Sequence, residues 1–222
     1  MLRLKTLLFS LMLTLSMPLL AQAAELDSLL AVHGDDHVLG DPMAPVTVVE
    51  YASMSCSHCA HFHLDVLPSV QKNFIDRGYV KLVFRPLPWD NLALAVSKIA
   101  ECAPNGSYFP FVEAYFETQK QWIHSGDPLS EMRRIARLGG MGSDAVDTCL
   151  KDTALHTKLV NARTLATDTI KVGATPTFFI NGEKVEGARD YLEFHKLLVK
   201  ALSDAGVTYD NTDHDNGGGV TK

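Results

Sequence analysis

The stretch YASMSCSHCAHFH, residues 51–63, places two cysteines and three histidines in the eight positions from Cys56 to His63. Thiolates and imidazoles so close together can clamp a metal ion. A Cys-x-x-Cys pair can equally run thiol–disulfide exchange. The two chemistries need different surroundings, so the flanking sequence has to decide between them.

Upstream, residues 46–51 (VTVVEY) form a compact β-branched run that reads as a buried strand. Downstream, Ala60, Phe62, Leu64, Val66, Leu67 and Val70 mark a segment of helical length that ends near Gly78. Residues 80–84 (VKLVF) read as a second strand, stopped by Pro86 and Pro88. The order strand, helix, strand is a βαβ unit with the cysteine pair at the helix start. A helix N-terminus offers unpaired N–H groups and the positive end of the macrodipole, and both favour a thiolate on Cys56. Cys59, three residues on, shares its side of the helix and can close a disulfide with it. His58 lies between them and can add positive charge or a donor.

Farther out the pattern changes. Residues 91–172 hold no convincing strand, only helical stretches broken at 104–106, 126–128 and 139–143. Within them, 153–172 reads as one long helix with Gly173 as its stop. Strands return at 177–180 and 184–186 around Asn181-Gly182, a strong hairpin signal. A final helix is expected over 190–202, and a polar, Gly-rich tail over 205–222. The fold class is therefore α/β, a βαβ half and a ββα half separated by a helical block at about 91–172, with the domain spanning 46–204 and a lead-in at 24–45.

The N-terminus carries Arg3 and Lys5, then an apolar run over 7–20, then Ala21-Gln22-Ala23. This predicts a cleaved secretory signal over 1–23 rather than an anchor, because a span needs about 20 apolar residues. Cleavage leaves 222 − 23 = 199 residues and moves the formal charge from −6 to −8. No basic cluster remains to neutralise phosphates, which argues against a nucleic-acid partner. All four cysteines, Cys56, Cys59, Cys102 and Cys149, lie in the exported part, where an even count favours bridges. Cys102 and Cys149, in early and late helices of the block, are expected to form a second disulfide; two buried free thiols are the alternative.

Residues 173–177 (GATPT) lead straight into the third strand. Together with the Cys pair, this combination resembles the thioredoxin fold, in which a cis-proline loop faces the redox cysteines. With Cys56-Ser57-His58-Cys59, the helical block and the signal segment, the chain is similar to the DsbA family of bacterial periplasmic thiol oxidases, over roughly 46–201. Ser57 stands where that family frequently has proline. The resemblance implies Cys56 and Cys59 as the redox pair, a cis bond at Pro176, and client binding along Thr175 and Pro176. Thioredoxin-like proteins often hold a buried carboxylate six residues before the first cysteine, and Glu50 occupies that place. It could relay a proton to or from Cys59, with Lys81 or Arg85 as partner, or it could be a strand-end residue reaching solvent. The aromatic run 108–116 reads as helix core.

Zinc wants four ligands, and Cys56, Cys59 and His63 supply three without a second motif to complete the set. His61 and His63 also point to different sides of a helix. The thioredoxin-like context decides for redox, and leaves His61 and His63 as solvent-facing or packing residues. The expected activity is a periplasmic dithiol oxidase, with no cofactor and no resident metal. It would act as a monomer on newly exported chains and be reoxidised by a DsbB-type membrane protein, as the resemblance implies. The alternatives are a copper- or zinc-handling thiol protein and a disulfide isomerase or reductase. Isomerases of this kind usually carry an N-terminal dimerisation domain, and only 24–45 precede the fold here.

Overall fold

A computed structural model of the chain describes residues 24–210. The expected signal segment, 1–23, and the last part of the expected tail, 211–222, lie outside the described residues. Residues 24–30 are helical and belong to a small unit that ends at Asp35; the main unit starts at Asp36. Among the described residues no helix is long and apolar enough to cross a membrane.

The main unit is built on one mixed sheet of five strands in the order β1-β3-β2-β4-β5. These are β1 (His37–Leu39), β2 (Val46–Ala52), β3 (Val80–Pro86), β4 (Thr177–Ile180) and β5 (Glu183–Glu186). β2 and β3 run parallel with Val48 opposite Leu82, as a βαβ crossover requires. β4 lies antiparallel on the other side of β2, with Glu50 opposite Phe178. The β4–β5 hairpin turns through Asn181 (φ 46°) and Gly182 (φ 88°), both left-handed as a two-residue turn of this kind demands.

β1 corrects the reading of 24–45 as a lead-in. His37–Leu39 pairs antiparallel with β3 and forms a sheet edge. Gly40 then turns the chain at φ 100°, where an added Cβ would lie 2.6 Å from Ile75 Cγ2 and 3.0 Å from the Val80 carbonyl. Only glycine meets both the dihedral and the space there.

The crossover from β2 to β3 is one continuous helical rod with changing pitch. It begins as α1 (Ser57–His61), widens into a π-helical segment (Phe62–Val66), tightens as α2 (Leu67–Val70), and widens again over Gln71–Ile75. Its apolar side packs with one sheet face and with α9 (Tyr191–Asp204) around Val48, Phe62, Phe74, Leu82, Phe178, Phe194 and Leu198. Phe62, Phe74, Phe178 and Phe194 are fully buried, and each such side chain contributes about 2–3 kcal/mol of apolar burial.

Between β3 and β4 lies the helical block: α3 (Asn91–Glu101), α4 (Tyr108–Glu117), α5 (Gln119–Ile123), α6 (Pro128–Leu138), α7 (Ser143–Lys151) and α8 (Thr153–Asp168). Its core joins Tyr115, Phe116, Trp122, Met132 and Ile135 to Met54 and Cys59, so the block closes over the cysteine pair. Asp90, Asp127, Asp152 and Asp190 start four of the helices by accepting the N–H three residues on. α8 stops at Asp168, short of the expected 172. Ile170 and Val172 turn inward to be buried, and Lys171 between them takes a left-handed φ of 62°, so Gly173 is not the stop. α9 runs two residues past the expected end, to Asp204.

Cys102 and Cys149 are bonded, with a Cα–Cα distance of 6.3 Å, which ties the end of α3 to α7. One turn back in α3, the buried Lys98 adds a second tie. Its Nζ donates to the carbonyls of Leu150 at 2.6 Å and Asp152 at 2.8 Å, which α7 leaves free at its C-terminus.

Candidate active site

β2 ends at Ala52, and four residues later Cys56 takes the N-cap position of α1 with extended dihedrals (φ −80°, ψ 119°). Its Sγ accepts the N–H of Cys59 at 3.4 Å, where a helix usually places a Ser or Asp oxygen. Cys56 is half-buried and Cys59 is fully buried; both are free thiols. The Cys56 thiol is lowered from the ordinary 9.0 to about 5. The largest cause is a hydrogen bond from the Cys59 thiol. Burial opposes it, and the Thr175 side chain and the main-chain N–H groups of Cys59 and His58 add to it. Cys59 goes the other way, well above the ordinary range, because burial, the hydrogen bond to Cys56 and the nearby charges of Cys56 and Glu50 all penalise its thiolate. The pair is therefore one nucleophilic sulfur and one sealed, protonated sulfur.

The loop before β4 completes the front of the site. Thr175-Pro176 is a cis peptide bond, and the Thr175 carbonyl lies 3.2 Å from Cys56 Sγ, where it accepts the thiol proton when Cys56 is neutral. Thr177, fully buried, holds this loop by donating to the Ala174 carbonyl at 2.8 Å. Trp89, from the segment between β3 and α3, donates its indole N–H to Thr175 Oγ1 at 3.1 Å. A hydroxyl that accepts from the indole has its own proton free to point at sulfur.

From the other side, Gln119 on α5 donates from its buried amide to the carbonyls of Met54 at 2.8 Å and Cys56 at 3.0 Å. It pins the turn that presents Cys56. Neither Trp89 nor Gln119 is conspicuous in the sequence; an aromatic beside two prolines and a glutamine at a helix start carry no motif. Ser55 Oγ donates to Asp90 Oδ2 at 2.5 Å, linking the same turn to the start of α3.

The structure chooses between the alternatives at Glu50 and at the two histidines, and gives Glu50 a different partner. Glu50 does not reach solvent at a strand end; it is fully buried. Its partner is neither Lys81, which donates to the Ala44 carbonyl, nor Arg85, which pairs with Asp36 at 2.8 Å and donates to the Tyr51 hydroxyl. Instead both Glu50 oxygens lie at 3.0 and 3.1 Å from His63 Nε2. His63 is thus a buried hydrogen-bonding residue, whereas His61 is exposed and pairs with Asp65 one turn on. The π-helical segment that carries His63 adds a residue to the turn and sets its side chain inward. His58 is exposed, and what it brings to Cys56 is its main-chain N–H. Among the described residues no three Cys, His, Asp or Glu side chains converge as a metal site, and His63 is engaged with Glu50.

Comparison with known proteins places this geometry. A family model described as thioredoxin matches residues 33–200. A variant of Wolbachia pipientis α-DsbA1 superposes with a TM-score of 0.77 at 32% identity, covering 81% of this chain and 97% of that one. Oxidised BdbD from Bacillus subtilis superposes with a TM-score of 0.68 at 25% identity, covering 76% and 94%. Disulfide bond formation protein D of Bacillus subtilis is 29% identical over 195 residues, 78% of this chain and 82% of that protein. Relatives in Rickettsia prowazekii, Rickettsia typhi and Rickettsia bellii are each 29% identical, and the chain spans only 64%, 58% and 59% of their lengths.

Proposed function

The chain belongs to the thioredoxin family, in its DsbA branch, and on that footing we propose that it is an exported thiol:disulfide oxidase that passes the Cys56–Cys59 bridge to client proteins. The observation that carries this reading is the asymmetry of the pair: a half-buried Cys56 with its thiol near 5 beside a sealed Cys59. A client thiolate attacks Cys56 Sγ, the less buried of the two sulfurs. The Cys56–Cys59 bond breaks, its electron pair goes to Cys59, and Cys59 takes up a proton. A second client thiolate then attacks the client sulfur of the mixed disulfide. Cys56 leaves as a thiolate, and the client keeps the disulfide. Thr175 and Pro176, beside Cys56, supply main chain against which an extended client strand can lie. Glu50 serves as the buried base or acid for Cys59. Reoxidation falls to a quinone-linked membrane protein of the DsbB type, the compartment is the periplasm, and the protein works as a monomer without a cofactor.

The direction follows from the thiolate. Contacts that favour Cys56 as an anion stabilise the reduced protein and make the bridge a strong oxidant. The pH dependence has a definite sign. A thiol lowered from 9.0 to about 5 gives the reduced fold a stabilisation that is complete above the ordinary thiol range and is lost as pH falls through about 5. The oxidising advantage over an ordinary dithiol therefore shrinks as pH drops from neutrality towards 5. Equilibration against glutathione at several pH values measures it. A potential as reducing as that of cytosolic thioredoxin would overturn the oxidase reading in favour of a reductase.

His58→Ala should raise the Cys56 thiol and make the pair less oxidising, but by less than about one pK unit. The substitution leaves the main-chain N–H in place, and an exposed imidazole is screened by solvent and salt. The thiolate absorbance of Cys56 as a function of pH reads this directly. A shift of two units or more would mean that the imidazole, not the helix start, holds the charge.

A further inference from the structure

Cys59 is fully buried, yet it must gain a proton each time the bridge is spent and lose one each time it is remade. A bound client covers the Cys56 side, so the proton needs another way to solvent. Glu50 is near enough for its charge to act on Cys59, and both oxygens of Glu50 meet a single imidazole nitrogen, His63 Nε2. His63 in turn lines a cavity of about 300 Å³ with Leu39, Leu67, Gln71, Phe109 and Glu113. The ring is held by edge contacts with Phe62 and Phe84 and lies against Phe116 at 4.6 Å between centroids. Aromatic walls of this kind fix the ring and keep water from the Glu50 side. An imidazole can pass a proton from one nitrogen to the other side of its ring near neutral pH. A buried carboxylate–imidazole pair with no function is a poor stabiliser, because desolvation consumes most of its electrostatic gain.

We propose that His63 is the proton port of the site: it relays protons between Glu50, which serves Cys59, and solvent in the cavity that His63 lines and Cys56 does not. The inference rests on the oxidase reading of the cysteine pair. When a client thiolate takes Cys56, Cys59 departs with the bonding electron pair. The proton that neutralises it comes from Glu50, which is resupplied through His63 from water. When Cys59 later attacks a mixed disulfide at Cys56, the proton runs the reverse course and the displaced thiolate leaves with the electron pair. The titratable groups around this path are Cys56 and Cys59 at one end, Tyr108 and through it Glu101 beside Glu50, and Glu113 across the cavity from His63. Tyr108 is buried and held protonated well above neutrality, so it is not an alternative carrier.

The test follows one step. Protein carrying glutathione on Cys56 is mixed from acid into buffers of rising pH, and release of glutathione by Cys59 is timed by acid quench and mass spectrometry. His63→Gln keeps a hydrogen-bond donor for Glu50 but cannot carry a proton. It should slow release at least about tenfold near neutral pH, with the Cys56 thiolate titration unchanged. Release at the wild-type rate would show that a hydrogen bond suffices and would overturn the proposal. A second measurement needs no variant: the imidazole ¹⁵N shifts of His63 should differ between the oxidised and reduced wild-type protein. Identical shifts in both states would also overturn it. Failure of wild-type Cys59 to release glutathione at all would instead reject the oxidase reading.

Discussion

With Cys59 replaced by alanine, the protein no longer introduces disulfides. Its Cys56 thiolate can still attack a disulfide that a client already holds, expelling one client thiolate, and the client then remains bonded to Cys56. The oxidised state itself cannot exist without the second sulfur, so oxidase turnover falls to background. A client already joined to Cys56 loses its intramolecular escape as well. The buried thiol sits against the first sulfur at a very high effective concentration, and without it release slows by about a thousandfold or more. The substitution also removes the largest contribution to the Cys56 anion, so its thiol should rise from about 5. Non-reducing electrophoresis with mass spectrometry of the covalent adducts checks the first part, and pH-dependent alkylation the second. Cys56→Ala should form no adducts. Adducts on any other residue, or undiminished turnover in Cys59→Ala, would remove the pair from its assigned roles.

Replacing both Cys102 and Cys149 with alanine should leave the chemistry within about twofold and cost the fold about 4 kcal/mol. The bridge closes a loop of 47 + 1 = 48 residues, counted inclusively from a separation of 47. Releasing such a loop returns to the unfolded chain an entropy worth about 4 kcal/mol near 25 °C. For a domain of this size that is a fall in Tm of about 8–16 °C. The Lys98 bonds to α7 remain and hold the two helices in register, so the native structure survives the loss. Denaturant titration with the Cys56–Cys59 pair kept in one redox state isolates the effect. An unchanged midpoint would show that the unfolded chain gains nothing from losing the bridge.

Much of this architecture could be read from residues 46–84 and 173–186, because its signals are local. A β-branched run, a Cys pair at a fixed spacing, an Asn-Gly turn and a Pro before a strand each carry their meaning within a few positions. What could not be read depends on partners far away in the chain. Three residues, His37–Leu39, are too few to show alternation and become a strand only by lying against β3. For Glu50 the sequence points to Lys81 and Arg85, cations on the neighbouring strand, because strand pairing is the geometry that residues 46–51 and 80–84 suggest. The actual partner lies on the crossover rod, where a π-helical turn departs from the spacing that assigns helix faces. Gln119 and Trp89 touch the site from elements 63 and 86 residues away from their targets, and neither residue type announces such a task.

The way Cys56 opens α1 bears on how this site tolerates change. Four other helix-starting positions, Asp90, Asp127, Asp152 and Asp190, use the same three-residue reach from side chain to N–H. At residue 56 a sulfur performs that ordinary task, and part of its support comes from the main chain. Ser57 and His58, the two residues enclosed by the cysteines, face solvent. Their side chains can be exchanged as long as the helix still begins at 57 and position 58 keeps its main-chain N–H. The reaction is thereby insulated from drift in its own loop, and the enclosed dipeptide becomes a dial for strength rather than a condition for activity.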